Sequence, residues 1–254
     1  MLVGFIDTGI DYENPVFRNI DGSTRILGIW DQSIQDGQPP QNFLYGTEYT
    51  KEMIDAALSS DNPKALVPTQ DESGHGTFLA SVAAGGADVE NQFLGAAPES
   101  KLAIVKLKPA KKYLKEFYLI TEEKECYQEN DIMLGMRYLN ELANRYDMPL
   151  VICIALGSNM GGHNATLPIT GLLEMYANIA NRAVVIGGGN EANQRHHFYG
   201  KAENVNDIKK AEVRVDGGMK GFTMELWTDI PNIVAVSIIS PREKEFHGCQ
   251  SVGE

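Results

Sequence analysis

Three short stretches of this 254-residue chain hold residue types suited to moving a proton and stabilising charge. In Phe5-Ile6-Asp7-Thr8-Gly9-Ile10-Asp11 a carboxylate follows directly on an apolar run. Held at the end of a buried strand and partly dehydrated, Asp7 would orient a histidine and stabilise its imidazolium. As a plain turn residue it would accept backbone hydrogen bonds instead. In Gly74-His75-Gly76-Thr77 a ring between two glycines stands at the start of an apolar helix. The helix dipole there disfavours imidazolium, which suits His75 to general-base work, although a single histidine is more often structural. In Val184–Glu191, Gly187, Gly188 and Gly189 precede Asn190, whose amide hydrogens suit a developing oxyanion. A Gly-Asn turn is the plainer reading, and no Lys with Ser or Thr follows to make a phosphate loop.

The elements that must position these residues follow from hydropathy. Leu2–Ile6, Lys101–Leu107, Leu150–Leu156 and Ala183–Ile186 read as short apolar strands. An apolar helix follows His75 and stops at Gly85-Gly86. Ile132, Met136, Leu139 and Ala143 mark one helical face; Ile169, Leu172, Leu173, Tyr176, Ile179 and Ala180 mark another. Residues 20–70, with Asp36-Gly37 and Pro39-Pro40, read as a long surface insertion carrying a short helix near Lys51–Leu58. Alternating strands and helices predict an α/β fold, a doubly wound, mostly parallel sheet with helices on both faces. Function then gathers at the C-terminal ends of the strands, where all three stretches fall. After about residue 205 the pattern changes. Ala211–Val215, Phe222–Trp227 and Ile233–Ile239 are expected as strands without intervening helices.

Composition narrows the function. Lys plus Arg is 22 against 34 for Asp plus Glu, a net charge of −12 that argues against nonspecific nucleic-acid binding. The longest apolar run, Leu150–Leu156, falls far short of the roughly 20 residues of a membrane-spanning helix. Cys126, Cys153 and Cys249 have neither disulfide-framework nor zinc spacing, and Cys153 is expected in the core. Met1–Ile6 lacks the basic segment of a signal peptide, so an export address would lie outside these residues. His196-His197 would point to opposite faces of an extended segment, which suits a surface loop better than a metal site. No metal site and no cofactor is expected; a structural calcium lacks a compact Asp/Asn cluster to hold it.

Taken together, Asp7-Thr8-Gly9, His75-Gly76-Thr77 and Gly189-Asn190, in that order, resemble the subtilisin-like serine proteases. Gly95-Ala96-Ala97-Pro98 adds to the resemblance, which covers most of residues 1–200. It implies that Asp7 orients the base, His75 is the general base and Asn190 donates to the oxyanion. Losing one such donor costs about 2.7–4 kcal/mol, a magnitude known from subtilisin itself and carried over rather than derived. The resemblance further implies that Ala155-Leu156-Gly157 pairs with extended substrate and that Gly187, Gly188 and Gly189 border the pocket for the side chain before the cut. Arg25–Asp31, Tyr127–Asp131 and the β-rich segment opening near Lys210 resemble the subtilases typified by clostridial spore-germination proteases. That subgroup implies a catalytic domain over residues 1–205 and the start of a jelly-roll-like insertion over residues 206–254. It also implies a protein or peptide substrate, a propeptide, and a spore-associated or secreted location.

One part of the family pattern is missing. The nucleophile's Gly-Thr-Ser-x-Ala-x-Pro does not occur, and Ser158, Ser237, Ser240 and Ser251 lack the required neighbours. The expectation is a fragment whose serine lies downstream, inactive alone. The alternative is a pseudoprotease that binds extended peptides by strand addition. An aspartic protease would need a second Asp-Thr-Gly, and the motif occurs once.

Overall fold

The computed structural model describes residues 1–204, 207–219, 221–241 and 245–250. Ser251 lies outside them. A six-stranded sheet organises the first 186 residues. Its strands are β1 (Leu2–Asp7), β2 (Ile26–Asp31), β3 (Thr47–Thr50), β4 (Lys101–Lys106), β5 (Leu150–Ile154) and β6 (Arg182–Ile186), in the order β3-β2-β4-β1-β5-β6. Only the β2–β3 pair is antiparallel. This is the expected mostly parallel α/β architecture. The helices are α1 (Lys51–Leu58), α2 (Pro63–Leu66), α3 (His75–Ala84), α4 (Lys112–Phe117), α5 (Glu129–Arg145) and α6 (Pro168–Ala177).

Alternation along the strands supplies two cores. Leu2 and Ile6 of β1, with Ala103, Val105, Leu150 and Ile152, face Met136, Leu139 and Ala143 of α5. Val3 and Phe5, with Leu102 and Ile104, face Ile54 of α1 and Ala80 and Ala84 of α3. Each fully buried aliphatic or aromatic side chain here contributes about 1.5–3 kcal/mol. β1, buried along its whole length, therefore holds Asp7 at a rigid point.

Two expectations are corrected. Residues 20–70 are not a surface insertion: all six residues of β2 are buried between β3 and β4. Trp30, in tilted contact with Phe43, Tyr45 and Tyr138, anchors that end of the sheet. The turn-rich stretch after Asp31 hid the strand before it. The short helix stands at residues 51–58 as expected. Ala211–Val215 and Phe222–Trp227 form no strand. Alternation makes a strand only where a neighbour completes its hydrogen bonds, and among the described residues of this region only β7 (Ala235–Ile239) and β8 (Glu245–Gln250) pair, antiparallel. Cys153 is half-buried and packs against the core, as expected; burial, then the Asp7 charge, pushes its thiol up. No described helix is long and apolar enough to cross a membrane.

Candidate active site

β1 sits between β4 and β5; the chain leaves β1 toward β2 on one side and leaves β5 toward β6 on the other, which makes this the switch point of the sheet. Asp7 is its last residue, with a side chain only 2% exposed. His75 is the first residue of α3, and its Nδ1 lies 2.7 Å from Asp7 Oδ1. A carboxylate only accepts, so Nδ1 carries the proton and donates; in the neutral ring Nε2 is then the lone-pair nitrogen. The ring is 45% exposed, and among the described residues Nε2 has no hydrogen-bond partner. Asp7 Oδ1 also accepts from the Thr8 N–H at 2.7 Å, whereas Oδ2 is buried without a protein partner. The sequence-predicted pair is thus brought together across 68 residues.

Glycine permits this approach. A Cβ at Gly76 would lie 2.2 Å from the Gly9 carbonyl oxygen, so the partner these glycines admit is the backbone after Asp7. Gly74 caps α3 at φ +77°, a conformation costly for other residues. At the far end of α3, Gly85 stops the helix, and the Ala96 and Ala97 N–H groups cap the Val82 and Ala83 carbonyls. The Arg25 guanidinium donates to Ala84, Val16 and Ser100 carbonyls, tying that end to the start of β4.

Several residues around the pair carried no role in the sequence reading. Asp71 accepts from Thr8 Oγ1 at 2.7 Å, Gly74 N at 3.0 Å, Thr77 N at 2.8 Å and Thr77 Oγ1 at 2.6 Å. Burial pushes its carboxyl up, but these hydrogen bonds outweigh burial and hold it below the usual carboxylate range. A polar residue shortly before an apolar helix is the one hint the sequence offers, since the N-cap position itself is Gly74. Lys106, paired with Asp7 across the β1–β4 ladder, donates to the Gln70 carbonyl at 2.5 Å and to Glu72 Oε2 at 2.7 Å. A cavity of about 470 Å³ opens beside the pair, bordered by Thr8, Ser73, Lys106, Glu125, Cys126 and Tyr127. Burial, then the Glu125 and Asp7 charges, raise the Tyr127 phenol far above its ordinary value, so it stays neutral.

The other candidates stand along the same sheet edge but apart from the pair. Ala155, Leu156 and Gly157 continue β5 without strand pairing, with Leu156 packed on the core. Gly187, whose N–H donates to the Ile154 carbonyl, Gly188, Gly189 and Asn190 follow β6 and are exposed. β6 lies two strands from β1, roughly 10 Å at the usual inter-strand spacing. No hydrogen bond among the described residues joins Asn190 to Asp7 or His75. Of the nearby hydroxyls, Ser73 Oγ accepts from the His75 backbone N–H at 3.2 Å, and Ser158 Oγ accepts from Met160 N at 3.1 Å. His197 stacks on His163 while His196 contacts Asn159, so the adjacent pair does diverge. Among the described residues no group of three His, Cys, Asp or Glu is placed to hold a metal.

A family model described as the subtilase family matches residues 1–244. Among solved structures, the CspB protease of Clostridium perfringens is 32% identical, with a TM-score of 0.63 over 76% of this chain and 37% of its own. S41, a psychrophilic protease, is 19% identical, with a TM-score of 0.46 over 75% of this chain and 46% of its own. The chain therefore spans less than half the length of either structure. No curated protein matches the sequence.

Proposed function

The chain belongs to the subtilase family, and from that premise we propose that it forms part of a serine endopeptidase of the subtilisin type. The 2.7 Å hydrogen bond between buried Asp7 and the Nδ1 of His75 carries this reading. With Nδ1 held by Asp7, Nε2 takes the proton of a nucleophilic serine as it attacks the scissile carbonyl, then returns it to the leaving amine. Asp7 stabilises the imidazolium in between. Asn190 donates to the oxyanion. Ala155-Leu156-Gly157 receives the extended substrate, and Gly187, Gly188 and Gly189 line the pocket before the cut. The substrate is a protein or peptide.

The finer parts of the proposal rest on family pattern. The nucleophilic serine lies outside these 254 residues, so the chain alone does not hydrolyse peptides. Residues 1–205 are the catalytic domain without its nucleophile-bearing part, and 206–254 begin a β-rich insertion. No cofactor is needed. The resemblance of Arg25–Asp31 and Tyr127–Asp131 alone extends the proposal to the spore-germination subgroup, with a propeptide and a spore-associated or secreted location.

A fluorophosphonate probe tests the reading on the complete protein. One adduct on a serine outside this chain, lost in His75→Ala, is the expected result. A folded, complete protein that takes no adduct overturns it and favours a pseudoprotease that binds extended peptides.

A further inference from the structure

Helix-capping aspartates ordinarily serve their own helix. Asp71 does this for α3, accepting from the Thr77 N–H in its first turn and from the Gly74 N–H. Its other contacts link that helix start to a distant loop. Thr8, 63 residues earlier and next to Asp7, donates its hydroxyl to Asp71 Oδ1, and the same Oγ1 accepts from the Gly76 N–H at 3.0 Å. Thr77 donates its hydroxyl to Asp71 Oδ2, and that Oγ1 accepts from the Asp11 N–H at 2.9 Å. The carboxylate thus closes a ring of hydrogen bonds whose members flank Asp7 on one side and His75 on both. Each strut ends within one or two residues of the pair, except Asp11, which anchors the far side of the same loop.

We propose that Asp71 is a positioning residue that sets the Asp7–His75 distance by clamping the Asp7-Thr8-Gly9 loop onto the start of α3, with Thr8 as its relay. The proposal rests on the reading of Asp7 and His75 as the orienting acid and base. Asp71 does not touch the reacting atoms. The contacts it fixes decide whether Nδ1 stays within hydrogen-bond reach of a carboxylate that cannot itself move, because β1 is buried on both faces. A displacement near 1 Å at a catalytic group lowers turnover by about 10²-fold. A general loss of fold would instead lower the active fraction and leave the remaining molecules unchanged.

The test uses the complete protein with its serine. Asp71→Ala should lower kcat about 10²-fold with KM within about twofold. Thr8→Val should lower kcat about tenfold, and Thr8→Ser should restore it to within about twofold, because only the hydroxyl relays the contact. In each variant the low-field Nδ1–H NMR signal of His75 should weaken in step with kcat. Full kcat in folded Asp71→Ala, or losses matched by the unfolded fraction with an unchanged Nδ1–H signal, would overturn the proposal. If Asp71→Ala does not fold, the Thr8 pair decides. If the wild-type protein takes no fluorophosphonate, the protease reading fails alone. The Nδ1–H signal, which needs no turnover, then judges the clamp: loss in Asp71→Ala supports it and retention sinks it.

Discussion

The two halves of the candidate site are built differently. Around Asp7 and His75 the backbone is cross-linked by side chains: Asp71 and Thr8 join two loops, Lys106 ties down Gln70 and Glu72, and a strand buried on both faces lies beneath. Around Asn190 almost nothing of that kind exists among the described residues. Gly187 through Asn190 are exposed, and β6 beneath them packs on the core chiefly through Val184, leaving Val185 and Ile186 55% and 52% exposed. The acid–base half is organised within this chain. The half proposed to hold the oxyanion is a glycine loop at the end of β6. Preorganisation is therefore unevenly distributed, and catalysis by preorganised charge requires both halves.

The sharpest break of the comparison is His75→Ala in the complete protein. Peptide turnover should fall by at least about 10⁴-fold, a magnitude known from serine proteases with this triad and carried over to this chain. A loss below about tenfold, measured by steady-state kinetics, would remove the base role. Next comes stability. Phe5→Ala, beneath Asp7 and 1% exposed, should cost about 3–5 kcal/mol in urea unfolding, whereas Ile186→Ala should stay within about 0.5 kcal/mol. Equal costs would mean that the two halves are equally buried and would end the contrast.

Asn190→Ala should lower kcat by about 10²–10³ with little change in KM, a range known from the corresponding experiment in subtilisin. Unchanged kcat would take Asn190 out of the oxyanion hole. The smallest expected effect is on acid stability. The Asp71 carboxyl is held below its ordinary value of 3.8 in the folded chain, so it adds stability above that value. That stability is lost as pH falls through the lower folded value. Asp71→Asn should therefore destabilise the chain at neutral pH, with the difference from wild type shrinking below about pH 4 in denaturant melts. A difference that does not shrink at all as pH falls below 3.8 would assign the effect to packing instead of charge.

Much of this site is legible in the sequence because its signals are local. An Asp after five apolar or small residues, a His between glycines before an apolar run, and strands alternating with helices each follow from neighbours within one element. Asp71 is legible only as a polar residue shortly before α3, whose N-cap is Gly74. Its bond to Thr8 is not, because nothing in residues 71–77 records what lies beside them in space. β2 was obscured for a similar reason. Its six residues are buried by β3, β4 and α5, while the turn formers that follow Asp31 advertise a surface.

Residues 211–215 and 222–227 show the converse. Their alternation satisfies the rule for a half-buried strand, but a strand also needs a neighbour to take its hydrogen bonds, and the described structure supplies none there. The sequence alone determined which residue types are available, in what order, and on which local element each sits. Tertiary structure decided the rest: that Asp7 and His75, 68 residues apart, meet at 2.7 Å, and that Asp71 spans both loops. Those outcomes depend on backbone approach and strand pairing between distant segments, and a linear pattern carries no term for either.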